Sequence, residues 1–172
     1  MGTRGAVGYF GRLNGENMHK VTYNHFDSYP SHLGIEVVKY IQSRDGDVNS
    51  IKDDFKGIKL VENTDDNYSK QRSCQGDLAS YAFHEKMIDN QDFLNDSLWC
   101  EWAYIINCNT GKLEIYRGFQ EDQSKVKGRY KDKTYESGSG TTYYGVSLIK
   151  SIPLEDVTTD IMYELEETEY AD

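Results

Sequence analysis

The chain has 172 residues, 37% of them hydrophobic, and 29 acidic against 19 basic residues give a formal charge of −10. With its 15 glycines this is ordinary globular composition, which excludes wholesale disorder and points to a single domain. No apolar run approaches the ~20 residues of a membrane span, and no net positive face is evident for nucleic acid.

The start, Met1-Gly2-Thr3-Arg4-Gly5, has no apolar stretch of the secretory kind. Ala6 stands where a myristoylation signal wants a hydroxyl. A strand is expected over 3–10, with glycines at 2, 5, 8 and 11 marking close approach of another backbone or a ligand. They form no phosphate loop, because a strand and not a helix follows. Asn14-Gly15 is turn chemistry, and 21–26 reads as the partner strand of an N-terminal hairpin. Tyr29-Pro30 ends it.

Ser31 reads as the N-cap of a helix carrying Leu33, Val37, Tyr40 and Ile41. Asp47 or Asn49 caps a shorter helix that stops at Gly57. Residues 60–73 read as a polar loop and 75–90 as a third helix. The clearest β signal follows: 99–108, a turn at Asn109-Thr110-Gly111, then 112–117 form a second hairpin. Residues 120–140 form a long charged loop, expected to be mobile or functional. Residues 142–152 are a last strand, with Tyr144, Val146, Leu148 and Ile152 on one parity, broken at Pro153.

The order ββ-ααα-ββ-β predicts an α+β fold: a mainly antiparallel sheet of about five strands, with helices grouped between two hairpins. Residues 1–154 are read as one α+β domain and 155–172 as an acidic C-terminal tail. From Ser151 onward there are eight acids and no Lys or Arg, so the rest of the chain is nearly neutral. Such a block is either a solvated end or a surface that meets a basic partner. Cys74, Cys100 and Cys108 are odd in number and lack C-x-x-C spacing, so reduced thiols in a cytoplasmic protein are expected. Cys100 and Cys108 share strand parity with Trp102, Tyr104 and Ile106, which places both on one packed face. No metal site and no cofactor are expected.

The densest polar segment is Tyr23-Asn24-His25-Phe26-Asp27-Ser28-Tyr29-Pro30. Strand parity puts Tyr23, His25 and Asp27 on one face and Asn24, Phe26 and Ser28 on the other. Asp27 is placed to orient His25, with Ser28 the nearest hydroxyl, so His25, Asp27 and Ser28 are the catalytic candidates. A serine triad is disfavoured by the parity and by the missing G-x-S-x-G elbow. A metal set of His25, Asp27 and His32 needs the Pro30 turn to fold His32 back. The alternative is a structural knot in which Asp27 or Ser28 caps the turn. The binding candidates are Arg4, Tyr23, Asn24, His25, Asp27 and Tyr29, joined by Glu164, Glu166, Glu167 and Glu169 of the acidic end. Lys125, Lys127, Arg129, Lys131 and Lys133 could meet an anion together with Arg4.

Met1-Gly2-Thr3-Arg4-Gly5, the Tyr23–Pro30 run and Leu33-Gly34 resemble a family of small uncharacterised phage and bacterial proteins. Its members open on M-G-T-R-G and carry Y-N-H-[FW]-D-S-Y-P. Glu101-Trp102-Ala103-Tyr104-Ile105-Ile106 with Tyr116, and Pro153-Leu154, are similar to its second hairpin and its ending. The resemblance implies a phage or mobile-element origin and, by analogy of class, an inhibitor of a host-defence macromolecule. Thr3-Arg4 and Asn24–Ser28 also resemble, more faintly, N-terminal-nucleophile amidohydrolases. There Gly2 lacks a nucleophile, so Thr3 would serve only after removal of an extra residue.

The expected function is therefore a non-enzymatic binding or inhibitor protein that uses an acidic, Tyr-rich surface against a host protein in the cytoplasm, with no membrane or direct nucleic-acid contact. The alternatives are a small hydrolase, N-terminal-nucleophile-like or nucleotide-handling, centred on residues 23–30, and a small-anion or nucleotide sponge.

Overall fold

The computed structural model describes residues 3–171. It is α+β, built on a mainly antiparallel five-stranded sheet. Strand β1 (Gly5–Leu13) turns through Asn14-Gly15 into β2 (Glu16–Asn24). Both turn residues have positive φ, 52° and 82°, the geometry that a two-residue hairpin needs. Strands β5 (Trp102–Asn107) and β6 (Lys112–Arg117) form the second hairpin, and β9 (Ser147–Pro153) closes the sheet in the order β2-β1-β5-β6-β9. The two hairpins join through β1 and β5, which run parallel; every other pair of this sheet is antiparallel.

Between the hairpins come α1 (Ile35–Ser43), α2 (Val48–Gly57), β3 (Lys59–Val61), α3 (Asp65–Gln71), α4 (Leu78–His84) and β4 (Lys86–Ile88). β3 and β4 form a small parallel pair. Asp47 caps α2, accepting from the amide of Asn49. The other end of α2 is held from the sheet, where Lys20 Nζ donates to the carbonyls of Phe55 and Ile58 at 2.5 Å each. A buried ammonium is tolerated there because it satisfies the carbonyls at a helix C-terminus. The expected loop over 60–73 is a strand and a helix, because Thr64 caps α3 by accepting from Asn67 N. The expected long helix over 75–90 ends at His84, because Glu85 takes a left-handed φ of 55°.

One sheet face packs Val7, Tyr9, Trp102, Tyr104, Ile106 and Leu113 against the helices. The other face, with Ala6, Val21, Ala103, Ile105 and Tyr116, is covered by two irregular segments that bring Leu94, Cys100, Tyr130 and Val146 onto it. Cys108 lies in the helix-side cluster and Cys100 in the opposite one. The shared-face expectation fails because Cys100 precedes β5 and does not follow its pleat.

The 120–140 segment, expected to be mobile or functional, supplies part of this cover through Tyr130. It contains β7 (Thr134–Glu136), which pairs with β8 (Thr142–Tyr144). Within it Arg129 makes two bonds to the buried Glu114, at 2.6 and 3.0 Å, over the ring of Phe10. That engagement removes Arg129 from the expected anion-binding set. The expected strand over 142–152 is split at Gly145, where a Cβ would collide with the carbonyl of Tyr130. A bulge between Ile115 and Tyr116 then changes the parity, so Val146 and Leu148 face one layer and Ile152 the other.

The acidic segment is helix α5 (Thr159–Glu169), capped by Thr158 and docked on the turn before α1. Met162 is fully buried and Tyr170 Oη accepts from Trp102 Nε1 at 3.1 Å. Among the described residues no helix is long and apolar enough to cross a membrane.

Candidate functional site

The register places the start of β1, the end of β2, the start of β5 and the end of β6 at one end of the sheet: Gly5 faces Asn24 and Trp102, and Trp102 faces Arg117. The Tyr23–Pro30 segment leaves the sheet there, and its residues divide sharply by burial. Asn24 and Ser28 are buried, while His25, Phe26 and Asp27 are exposed.

Ser28 is structural. Its amide donates to Thr3 Oγ1 at 2.8 Å, its hydroxyl to the carbonyl of Phe26 at 2.9 Å, and its carbonyl accepts from Tyr104 Oη at 2.8 Å. It also lies over Gly5, where a Cβ would stand 2.6 Å from Ser28 Cβ. A serine held in this way has no path to a substrate. The expected His25–Asp27 pair does not form: His25 Nδ1 bonds to Tyr23 Oη at 2.8 Å. The reason is that β2 stops at Asn24, so strand parity carries as far as His25 but not to Asp27. Among the described residues no group of three or more His, Cys, Asp or Glu is arranged to hold a metal ion, and the set His25, Asp27 and His32 is not assembled. Thr3 is buried with its hydroxyl accepting from Ser28. Gly2, on which the N-terminal-nucleophile reading turned, lies outside the described residues.

The same end of the sheet gathers aromatic and guanidinium groups. Arg4 lies over the ring of Trp99 at 5.2 Å. Burial raises the Tyr23 phenol, and the Arg4 charge beside it opposes that shift. Arg117 sits between Trp102, Tyr170 and Phe119 at 4.6, 5.1 and 5.5 Å. Glu101 joins the two groups, accepting from Arg4 N through its carboxylate and from Arg117 Nη1 through its carbonyl. Tyr29 meets Tyr170 edge-on at 5.7 Å. Among the described residues there are six exposed large hydrophobic side chains. Four of them, Phe26, Trp99, Phe119 and Tyr170, lie at this end; the other two are Phe83 and Tyr163.

The acidic residues border this surface. Glu166 is not free: its carboxylate accepts from Ser31 N at 3.1 Å and Ser31 Oγ at 2.8 Å. This corrects the reading of Ser31 as a helix N-cap, since a wide turn over Pro30–Gly34 intervenes before α1 and Ser31 turns to α5. Glu164 and Glu167 face solvent and Glu169 is half-buried. Of the binding candidates, Arg4, Tyr23 and Tyr29 lie at this end of the sheet, whereas Trp99, Arg117 and Phe119, which stand beside them, were not among the candidates. Their only signal was position at strand ends next to a predicted hairpin.

A cavity of about 280 Å³ elsewhere is lined by Lys70, His84, Lys86 and Cys74. Burial pushes the Cys74 thiol up, which disfavours the thiolate a nucleophile needs. Lys70 is already paired with Asp66 at 2.9 Å. No family, curated protein or solved structure matches the chain.

Proposed function

We propose that the chain is a non-enzymatic binding protein that inhibits a macromolecular partner by covering it with this end of the sheet. The observation that carries the reading is the gathering of Trp99, Phe119, Phe26 and Tyr170 with Arg4 and Arg117 beside an acidic helix. Trp, Tyr and Arg are the residues that dominate interface energetics. The flanking acids suit a partner with a basic rim, which they would steer toward contact. The resemblance to phage and bacterial proteins supports a host protein as that partner. No observation favours the hydrolase reading, because His25, Asp27 and Ser28 are not hydrogen-bonded to one another in a working order. The anion-sponge reading loses Arg129 to Glu114.

The test is quantitative affinity capture from a bacterial lysate, followed by affinity measurement with the captured protein. The double substitution Trp99→Ala with Phe119→Ala is expected to weaken binding by more than about 30-fold, the loss of two hot-spot side chains. Phe83→Ala, which removes a more exposed ring that stacks edge-on with His84 and lies outside this group, should bind as the parent does. Glu164→Gln with Glu167→Gln should slow association and reduce its salt dependence. Unchanged affinity in the Trp99/Phe119 variant would remove the reading.

A further inference from the structure

Two clefts open on either side of His32. One, of about 260 Å³, is lined by Asn24, Asp27, His32, Glu36, Gln75 and Gly76, together with the exposed Phe26 and the buried Leu33. The other, of about 460 Å³, lies between Tyr29, His32, Glu166, Glu167 and Tyr170. Among the described residues no Lys or Arg lines either cleft.

The first cleft contains an acceptor without a donor. Asn24 is 2% exposed, and its Oδ1 is buried with no hydrogen-bond partner. Its orientation is fixed, because Nδ2 donates to the carbonyl of Phe26 at 2.8 Å and to Ser28 Oγ at 3.0 Å. Turning the amide over would set two carbonyl oxygens against each other. Oδ1 therefore faces Gly76, another residue of the cleft, 3.9 Å from where a Cβ would stand. At the mouth, Asp27 has no hydrogen-bond or ion-pair partner among the described residues, and Glu36 meets only Lys39, at 3.3 Å on the exposed face of α1. Such a surface pair contributes little and exchanges readily.

The second cleft is lined by aromatic rings and carboxylates. Tyr29, His32 and Tyr170 provide ring faces, with Tyr29 centred 6.2 Å from His32 and 5.7 Å from Tyr170. Glu166 and Glu167 supply negative charge beside them. Ring faces with adjacent carboxylates hold ammonium and guanidinium groups.

We propose that the two clefts are sockets for the cationic side chains of one basic peptide segment, with an arginine guanidinium filling the cleft that ends on Asn24. An arginine offers five N–H donors in a planar fork, which suits an unpartnered amide oxygen behind two carboxylates. The proposal deepens the reading of this end of the sheet as a partner surface. It names the chemistry that the partner inserts.

The test is an NMR titration of the whole chain with the blocked peptide acetyl-Arg-Gly-Arg-amide, at low and at high salt. Its counterpart in which both arginines are citrulline removes the charge and keeps the shape. The arginine peptide is expected to saturate, to shift the backbone amides of Gln75 and Gly76 and the side-chain amide of Asn24, and to bind at least tenfold more tightly than the citrulline peptide. Asp27→Asn with Glu36→Gln, both at the surface, should weaken it at least tenfold. Glu62→Gln with Asp65→Asn, which line neither cleft, should leave it unchanged. Equal binding of the two peptides, indifference to the Asp27/Glu36 variant, or no saturable binding would each overturn the proposal. Trp99 and Phe119 line neither cleft, so this result stands or falls apart from the capture experiment that tests the surface as a whole.

Discussion

At the scale of single residues, the second sheet face is organised around one buried charge. Glu114 is 7% exposed and accepts from Arg129, from Asn107 Nδ2 at 3.1 Å and from Tyr116 Oη at 2.8 Å. Burial alone would raise its carboxyl, but the Arg129 and Asn107 donors outweigh burial and hold it below the ordinary range. A buried carboxylate with this many donors is in the regime where pairing repays desolvation. The same guanidinium acts in the opposite sense on His19. Burial first, and then the Arg129 charge, push the His19 imidazole down to about 4, and the neutral ring bonds to Tyr130 Oη at 2.7 Å. The folded state thus binds this proton more weakly than the unfolded chain. The stabilisation is complete above the unfolded value of about 6.5 and is lost as pH falls from there toward 4. Urea unfolding at pH 7 and pH 4.5 should show His19→Gln losing about 1–2 kcal/mol less than the parent over that interval, a figure discounted for solvent screening of a half-exposed ring. Equal losses would show that His19 does not titrate with folding.

At the scale of elements, the sequence made local structure legible and left distant pairing hidden. The two hairpins could be read because Asn14-Gly15 and Asn109-Thr110-Gly111 carry turn chemistry between alternating apolar residues. α2 could be read because Asp47 caps it and Ile51 and Phe55 lie four apart. β3 and β4 could not, because each is three residues long and their pairing is set across the 24 residues between them rather than by pattern. The site divided in the same way. Tyr23–Pro30 stood out as an unusual segment, but which of its members face outward depends on Gly5, Thr3 and Tyr104 closing over Ser28. Trp99 meets Arg4, and Arg117 with Phe119 comes to the same end of the sheet, only because β1 and β5 pair in parallel, which no local signal announces. Ser31 has a capping residue's identity, but its partner is Glu166, 135 residues later. That contact fixes α5 to the domain, and it yields a test. Removing the carboxylate leaves Ser31 N and Oγ without their charged acceptor, so Glu166→Ala should cost roughly 1–3 kcal/mol in unfolding free energy. Glu164→Ala, on the exposed side of the same helix, should cost no more than about 0.5 kcal/mol. If calorimetry shows the two variants melting together, α5 is held by Met162 and Tyr170 alone.

At the scale of the molecule, the arrangement ties the proposed partner surface to the strands that are hardest to open. β5 is buried at all six positions and lies between β1 and β6 in the middle of the sheet. Arg4, Glu101 and Arg117 lie at or within one residue of the ends of these three strands. The covers on the second face differ: β7 and β8 form a separate two-stranded ribbon whose residues are exposed or half-buried. Local opening follows buried contact and protected hydrogen bonding, so stability should be distributed unevenly around one rigid centre. A surface carried by such strands is ordered before it meets a partner and loses little conformational freedom on binding. Native-state hydrogen exchange measures this directly. The amides of Trp102–Asn107 are expected to exchange only through global unfolding, while those of the β7–β8 ribbon exchange through openings several kcal/mol lower in free energy. The amides of Glu101, which donates to the carbonyl of Arg4 at 3.0 Å, and of Gly118, which donates to the carbonyl of Glu101 at 2.9 Å, decide the functional point. Protection there close to that of β5 means that the aromatic and arginine groups are presented on a fixed frame. Exchange as fast as in the ribbon would mean that this end of the sheet frays, and that a partner must order it at a cost in affinity.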